Sequence, residues 1–206
     1  IECVLKKIKK PTWEIQKVYP QEVMQNTVVN IPRLKELEKM VKECSKLPGD
    51  IAEIGVYKGG TGYLLASAVK NKFIYLFDTF TGLPEVDPTK DKHRTGDFKG
   101  VNFDEIVNRF KIFPHVEIHK GLFPDVTGFV LNNKKFCFVH IDVDIYTSVK
   151  SCLEFFYPNM VSGGIMVLDD YNASSCPGAK EAADNFCKEK GLIVQPTVEC
   201  QAIIKV

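Results

Sequence analysis

Two mostly apolar runs of this 206-residue chain each end on a pair of carboxylates. The first run leads into Asp142 and Asp144, and the second leads into Asp169 and Asp170. The interval between the pairs is long enough for one helix and a return to the sheet, so both pairs can lie at neighbouring strand ends. Four carboxylates gathered there repel one another and lose hydration unless a cation or a polar ligand compensates them. The pattern therefore predicts a divalent-cation site. The alternative is that single acids among them cap the helices that follow.

The composition indicates a globular protein with a small-molecule partner. With 45% hydrophobic residues the chain can bury one sizeable core, which predicts one domain. A net charge of +1 gives no overall field that would attract nucleic acid or an anionic membrane. Seven widely spaced cysteines without a C-x-x-C pair favour a reducing, cytoplasmic setting over a disulfide scaffold or a zinc site. No apolar stretch reaches about 18 residues and no signal-peptide core is present, so no membrane partner is expected. A homo-oligomer is compatible with this composition.

The spacing of apolar residues indicates strands and helices that alternate along the chain. This order predicts an α/β fold with a Rossmann-like doubly wound sheet, mostly parallel with an antiparallel closing strand, and helices on both faces. Residues 1–30 are weakly periodic and are expected to form an N-terminal arm or lid, while residues 31–206 form the main domain. The polar stretch 79–100 predicts a functional lid. The predicted strands are 50–55, 73–78, 116–119, 136–142, 164–169, 192–195 and 202–206.

The turn after the first strand carries a second chemical signal. Gly55 permits a tight turn and close approach of a ligand, and Gly59 and Gly60 let the backbone pass near a helix N-terminus. Asp78, at the end of the second strand, can accept both ribose hydroxyls of a nucleoside. The segment lacks the G-x-G-x-x-G of nicotinamide dinucleotide enzymes. Glu53 suits a cationic ligand better than a pyrophosphate, and S-adenosylmethionine offers a sulfonium, an ammonium and a ribose.

Five segments together carry a more specific pattern. They read DIAEIGVYKGG at 50–60, FDTFTGLP at 77–84, IDVDIY at 141–146, YP at 157–158 with GG at 163–164, and LDDY at 168–171. In combination they resemble the macrocin O-methyltransferase family, which consists of class I S-adenosylmethionine-dependent methyltransferases, typically Mg-dependent, that act on sugar hydroxyls of natural products. The resemblance implies that residues 31–206 form a class I methyltransferase domain with S-adenosylmethionine and Mg, or another hard divalent cation, as cofactors. The chain departs from many members by Val143, where they have glycine, and by a shorter N-terminal end.

The predicted roles follow from the acids and from these segments. A cation held by Asp142, Asp169 and Asp170 would bind the acceptor oxygen, lower its pKa and orient it. The predicted catalytic residues are Asp142 and Asp144, where Asp144 is the general base or orients the ligands, and Asp142 is the base if the ligation differs. The resemblance alone implies that Gly121 and Phe123 border the adenine. The predicted cofactor-binding residues are Glu53, Gly55, Tyr57, Gly59, Gly60, Thr61, Asp78, Thr79, Phe80, Gly121, Phe123 and Asp142.

Three histidines lie near these segments. His140 precedes the first acid pair inside an apolar run, and we interpret it as a core histidine. His93, in the predicted lid, and His119, at the end of the third strand, are better placed as an alternative base, although each also fits the role of an ordinary polar residue.

The predicted function is divalent-metal-dependent and S-adenosylmethionine-dependent O-methylation of a hydroxyl on a sugar or a glycosylated small molecule. One alternative is a non-catalytic protein that binds S-adenosylmethionine or a nucleoside. The other is a nicotinamide-dependent oxidoreductase, against which the missing G-x-G-x-x-G argues.

Overall fold

One central sheet organises the structure, a computed structural model that describes residues 19–206. The sheet has the strand order 3-2-1-4-5-7-6, in which strands 1 to 5 run parallel and strand 7 runs antiparallel to strands 5 and 6. The predicted mostly parallel sheet with an antiparallel closing strand is confirmed. The strands are β1 (Asp50–Ile54), β2 (Ile74–Asp78), β3 (Val116–Lys120), β4 (Phe136–Ile141), β5 (Met160–Leu168), β6 (Val194–Pro196) and β7 (Ala202–Lys205).

Helices cover both faces of the sheet, as predicted. Helices α5 and α6 pack on one face around Phe156 and Phe186, and α1 to α4 pack on the other around Leu37 and Leu65. Because both faces are covered, every residue of β4 is buried, which explains its nearly continuous apolar sequence. The helices are α1 (Gln21–Met24), α2 (Ile31–Cys44), α3 (Gly60–Ala68), α4 (Phe103–Phe110), α5 (Tyr146–Phe156) and α6 (Pro177–Lys190). In residues 19–206 no helix is both long and apolar enough to cross a membrane.

Strand β5 begins earlier than the sequence predicts. It starts at Met160 rather than at residue 164, and its pairing with β4 shifts register after Phe136. Gly163 takes a φ of +81° within the strand and donates its N–H to the carbonyl oxygen of Val206 at 2.6 Å. The two glycines in this segment therefore form an irregularity inside a strand, whereas in the sequence they resemble a turn.

The last part of the predicted N-terminal arm belongs to the core. Val23, in α1, is fully buried, and Val29 is 4% exposed. The N–H of Gly60 donates to the carbonyl oxygen of Asn26 at 2.9 Å, which connects this segment to the start of α3. Such a short helix leaves too few apolar positions for a periodic signal. Residues 1–18 lie outside the described residues, so the prediction of an arm there stays a prediction.

The segment 79–102 contains neither helix nor strand and is called the lid loop below. Asp91 of this loop is buried, and its carboxylate accepts the N–H of Tyr146 at 3.0 Å, which caps the start of α5. The Lys92 ammonium donates to the carbonyl oxygen of Ser174 at 2.7 Å. The lid loop is therefore fixed to the structure on the side of α5 and α6.

Candidate active site

A cavity of about 250 Å³ lies at the carboxyl ends of the parallel strands. It opens where the strand order reverses between β1 and β4, which is the usual ligand position in open α/β sheets. The lid loop contributes His93 and Phe98 to its wall. The predicted site residues that line it are Gly55, Tyr57, Asp78, Thr79, Gly121, Phe123, Asp142, Asp144, Asp169 and Asp170.

The two acid pairs meet at this cavity, but the closest group differs from the predicted metal ligands in one member. Carboxylate oxygens of Asp142, Asp144 and Asp170 lie within 4.8 Å of one another. This group shares Asp142 and Asp170 with the predicted metal ligands and contains Asp144, whereas the prediction has Asp169. The Asp144 φ of +59° is a left-handed conformation, uncommon for an aspartate, and residues in such conformations concentrate at functional sites.

Asp169 is turned toward α2 and is almost completely buried. It forms an ion pair with Arg33 of α2, and its other oxygen accepts from the side-chain amide of Gln201 at 2.5 Å. His140 Nε2 lies 3.5 Å from the same oxygen. Asp169 and Asp170 both follow the end of β5, and of the two only Asp170 contributes an oxygen to the group with Asp142 and Asp144. Asp169 therefore belongs to a layer of charges beneath Asp142, Asp144 and Asp170, which are called the acid group below.

Arg33 is a functional candidate that the sequence analysis missed. It also lies 3.4 Å from Asp170 Oδ1, and so one guanidinium bridges both carboxylates of the second pair. Asn30 caps α2 by accepting the Arg33 N–H at 3.2 Å, which fixes the residue in the first turn. A cation in the first turn of a helix opposes the helix dipole. That local conflict is the one sequence signal that pointed to a tertiary partner for Arg33.

Burial and mutual repulsion give the acids unusual proton affinities. Burial, and then the charges of Asp169 and Asp170, raise the pKa of Asp142 well above its ordinary value. Burial, together with Asp170, raises the pKa of Asp144 to about 6. Burial acts in the same direction on Asp169, but its bonds to His140 and the charge of Arg33 outweigh burial and lower its pKa. Three clustered carboxylates that resist ionisation fit a divalent cation, and oxygen ligands favour Mg²⁺, Mn²⁺ or Ca²⁺.

A pH dependence of stability follows from these shifts. Because the pKa of Asp144 is about 6 in the folded chain against an ordinary 3.8, the folded state holds its proton more tightly than the unfolded state. The stabilising contribution of Asp144 to the free energy of unfolding is complete below its pKa in the unfolded chain. It is lost as the pH rises through its pKa in the folded chain. We expect the free energy of unfolding, measured by urea denaturation in chelator, to fall from about pH 4 to pH 8, and Mg²⁺ to reduce this slope. Asp144→Asn should flatten the same slope in chelator. A slope unaffected by both changes would contradict the expectation.

Glu53 does not face the cavity, which corrects its interpretation as a contact to a cationic ligand. It is fully buried, and its carboxylate lies 3.0 Å from His140 Nδ1. Its second oxygen approaches Gly62 of α3, where a β-carbon would lie only 2.7 Å away. Burial alone would lower the pKa of His140. The interactions of His140 with Asp169 and Glu53 outweigh burial and raise the pKa of His140 to about 9. Glu53, His140 and Asp169 thus form a buried row beneath the site, in which His140 is the core histidine that we expected.

Asp78 organises the turn after β1 with its own carboxylate. One oxygen accepts the N–H groups of Val56 and Tyr57 at 2.8 and 2.7 Å, and the other accepts the N–H of Phe80 at 2.7 Å. The first oxygen has no lone pair left, whereas the second retains capacity for a ligand. The prediction that Asp78 accepts two ribose hydroxyls is therefore reduced to one oxygen.

The remaining predicted cofactor residues lie beside the cavity lining. A β-carbon on Gly60 would meet the backbone of Asn26 at 2.6 Å, and the Thr61 hydroxyl is bonded to the hydroxyl of Thr27 at 3.1 Å. Both residues therefore serve the packing of the N-terminal segment. Gly59 serves the packing of α4 instead, because a β-carbon there would lie 2.9 Å from the Phe110 ring. Phe80 is buried and its ring packs 5.0 Å from that of Phe103.

Tyr57 and Phe98 close one side of the cavity. Both have left-handed backbone conformations, with φ of +49° and +64°. Their rings meet edge to face at 5.8 Å, so the turn after β1 touches the lid loop. His119 stacks on Phe77 at 5.0 Å and does not line the cavity, whereas His93 does.

Comparisons with known proteins agree on one family. The family model Macrocin-O-methyltransferase (TylF) matches residues 13–201. The demethyldecarbamoylnovobiocin O-methyltransferase of Streptomyces niveus is 27% identical over 179 residues, which are 78% of this chain and 67% of the relative. The 8-demethyl-8-(2,3-dimethoxy-alpha-L-rhamnosyl)-tetracenomycin-C 4'-O-methyltransferase of Streptomyces olivaceus is 24% identical over 172 residues, or 75% and 66%. The chain thus spans about two thirds of the length of these relatives.

Solved structures share the fold. The O-methyltransferase NovP superposes with a TM-score of 0.76 at 24% identity and covers 87% of this chain and 81% of its own. The O-methyltransferase TomG from Streptomyces achromogenes, solved in complex with SAM, superposes with a TM-score of 0.62 at 13% identity and covers 92% and 91%. Because the family model extends over most of the sequence, the chain belongs to the macrocin-O-methyltransferase family, a family of enzymes that methylate oxygen.

Proposed function

We propose that this protein transfers the methyl group of S-adenosylmethionine to a hydroxyl of a sugar or a glycosylated small molecule, with the help of a hard divalent cation. The observation that carries the proposal is the group of Asp142, Asp144 and Asp170 at the cavity whose other wall carries Gly55 and Asp78. The names of the relatives support a sugar acceptor, because one of them is named as a 4'-O-methyltransferase of a rhamnosyl-tetracenomycin. Family membership argues against the nicotinamide-dependent alternative.

The cofactor would occupy the β1 and β2 side of the cavity. There the remaining lone pair of Asp78 Oδ1 suits a ribose hydroxyl, and the buried ring of Phe123 offers an apolar surface for a nucleobase. S-adenosylmethionine, when bound, supplies an electrophilic methyl group on a sulfonium. Tyr57 and Phe98 would exclude water from this side, because their contact joins the turn after β1 to the lid loop.

The acceptor would occupy the β4 and β5 side. Asp142, Asp144 and Asp170 would hold the cation, which, when bound, acts as a Lewis acid on a hydroxyl oxygen. Asp142 and Asp144 are the candidate proton acceptors, since both carboxylates face the cavity. Asp169, held by Arg33 and Gln201, keeps the end of β5 in position. Methyl transfer is an in-line displacement, so this positioning supplies much of the rate.

The proposal is tested by an Asp169→Asn variant in a methyl-transfer assay. Radiolabelled S-adenosylmethionine and a panel of nucleotide sugars and glycosides are incubated with enzyme in Mg²⁺ or in chelator, while calorimetry measures binding of S-adenosylmethionine. We expect the variant to bind the cofactor normally and to lose about 100-fold in metal-dependent transfer, the upper end of the range for loss of a group that orients metal ligands. Asp104→Asn, at an exposed position of α4, is the matched control and should behave like wild type.

Two results would overturn parts of this proposal. Full turnover of Asp169→Asn in chelator would exclude the metal-dependent reaction. Binding of S-adenosylmethionine by wild type without transfer to any acceptor in the panel would favour the non-catalytic binding protein.

A further inference from the structure

The lid loop brings nitrogen and sulfur atoms next to the acid group. His93 Nε2, a carboxylate oxygen of Asp144 and the Cys176 thiol lie within 4.8 Å of one another. The sulfur is 3.5 Å from His93 Nε2 and 3.4 Å from Asp144 Oδ1, and that oxygen is 3.8 Å from Nε2. A tetrahedral zinc ion with ordinary bond lengths separates such ligand atoms by about 3.4–3.6 Å. The three side chains therefore already have nearly the spacing of ligands around one ion.

The three ligands come from separate elements that the structure holds in place. His93 belongs to the lid loop, Asp144 follows β4, and Cys176 directly precedes α6. The loop is fixed immediately before His93, where Asp91 caps α5. Gly178 makes room for this contact, since a β-carbon there would lie 1.9 Å from the Asp91 carboxylate. The position of His93 is thus imposed by the packing of its loop on α5 and α6.

A carboxylate also orients the His93 ring. Nδ1 lies 3.3 Å from Asp97 Oδ2, and the same oxygen accepts the backbone N–H of Arg94 at 2.9 Å. A proton held on Nδ1 leaves the lone pair of Nε2 directed at Asp144 and Cys176. Histidines that bind metals are oriented in this way, with the second ring nitrogen bonded to a carboxylate.

We propose that His93, Asp144 and Cys176 bind one divalent transition-metal ion of the zinc or cobalt type, next to the hard-cation site and sharing Asp144 with it. A set of one nitrogen, one oxygen and one sulfur ligand selects such ions over Mg²⁺. Binding would convert the Cys176 thiol to a thiolate and release its proton to solvent. Because His93 and Asp144 line the cavity, the fourth position of the ion faces the cavity. The bound ion would join the lid loop to β4 and α6.

Sequence spacing gives no indication of this site. The ligands are far apart along the chain, no C-x-x-C pair marks them, and the H-x-x-x-H pair of His115 and His119 includes none of them. The cysteine distribution argued against a zinc site of the usual local type, and a site assembled from three distant elements is outside that argument.

The test is a cobalt titration of the chelator-treated protein in excess Mg²⁺, which occupies hard-cation positions. We expect a thiolate-to-cobalt charge-transfer band in the near ultraviolet that saturates at one equivalent. Cys176→Ser should lose this band while the helix start tolerates serine. His93→Gln, in a loop that does not form the core, should weaken cobalt binding at least about tenfold, the lower range for loss of a ligand-orienting group. Cys187→Ser, a buried cysteine of the same α6, is the matched control and should retain the band.

Cobalt binding is measured without methyl transfer. Failure of this proposal can therefore be distinguished from failure of the proposed function. Absence of a thiolate band in the wild-type protein would overturn the proposal. A band that persists in Cys176→Ser and disappears in Cys200→Ser would also overturn it, because Cys200 lies 3.9 Å from Asp170 on the other side of the acid group.

Discussion

Replacing Asp142 with asparagine should lower the rate of methyl transfer by about 10⁴-fold, the combined scale of a lost metal ligand and a lost proton acceptor, and should at the same time stabilise the metal-free protein. The loss of activity and the gain in stability have the same cause. Asp142 is surrounded by the carboxylates of Asp144, Asp169 and Asp170, and burial raises its pKa well above normal. An amide in its place removes the repelled charge and can donate to a neighbouring carboxylate.

Rate and stability are measured on the same preparation. Transfer is followed with saturating S-adenosylmethionine and Mg²⁺, and the melting temperature is measured in chelator at about pH 8, above the pKa of about 6 of the neighbouring Asp144. Asp184→Asn, on the exposed side of α6, controls for the loss of one acidic side chain and should change neither quantity strongly. A variant that loses activity and also melts earlier in chelator would mean that Asp142 acts mainly through folding.

Gly55→Ala should prevent the chain from folding stably. A β-carbon at Gly55 would lie 1.7 Å from the carbonyl oxygen of Asp142, and the φ of +93° is unfavourable for any side chain. Both partners are backbone at the ends of adjacent parallel strands, so neither can move without separating β1 from β4. We expect a loss of more than about 4 kcal/mol in the free energy of unfolding, or insoluble protein.

Gly96 provides a control that separates sterics from backbone strain. It also has a positive φ, of +84°, but a β-carbon there would have no atom within 4 Å. Gly96→Ala should therefore cost only about 1 kcal/mol, the usual scale for such a backbone conformation. Urea denaturation of both variants checks the difference, and equal losses would show that the close approach at Gly55 is relieved by movement of the strands.

The fold was largely accessible from the sequence because its signals are local. Strands buried on both faces are continuous apolar runs, and acids at their ends mark the edge at which parallel strands meet. The early start of β5 was not accessible, since Gly163 and the residue after it resemble a turn unless their pairing partners are known. The packing of Val23 was also hidden, because a single short helix gives no periodicity.

The position of the site could be predicted from the sequence, but the side-chain contacts within it largely could not. Asp142, Asp144 and Asp170 meet where the acid pairs predicted. The partners that decide each role lie far away in sequence, as Arg33 does from Asp169 and His140 does from Glu53. Which carboxylate joins the group of Asp142, Asp144 and Asp170 and which pairs with Arg33 and His140 depends on side-chain direction beyond the strand end. Spacing along the chain does not encode that direction.

The guanidinium of Arg33 bears on whether the protein folds before or together with binding of its metal ion. A cluster of carboxylates with no internal cation would assemble only together with its metal, as in small domains that are unfolded when the metal is absent. Here Arg33 contacts both Asp169 and Asp170 from a helix that is already part of the core. The chain carries part of the neutralising charge itself, so folding can come first and loading of the ion second.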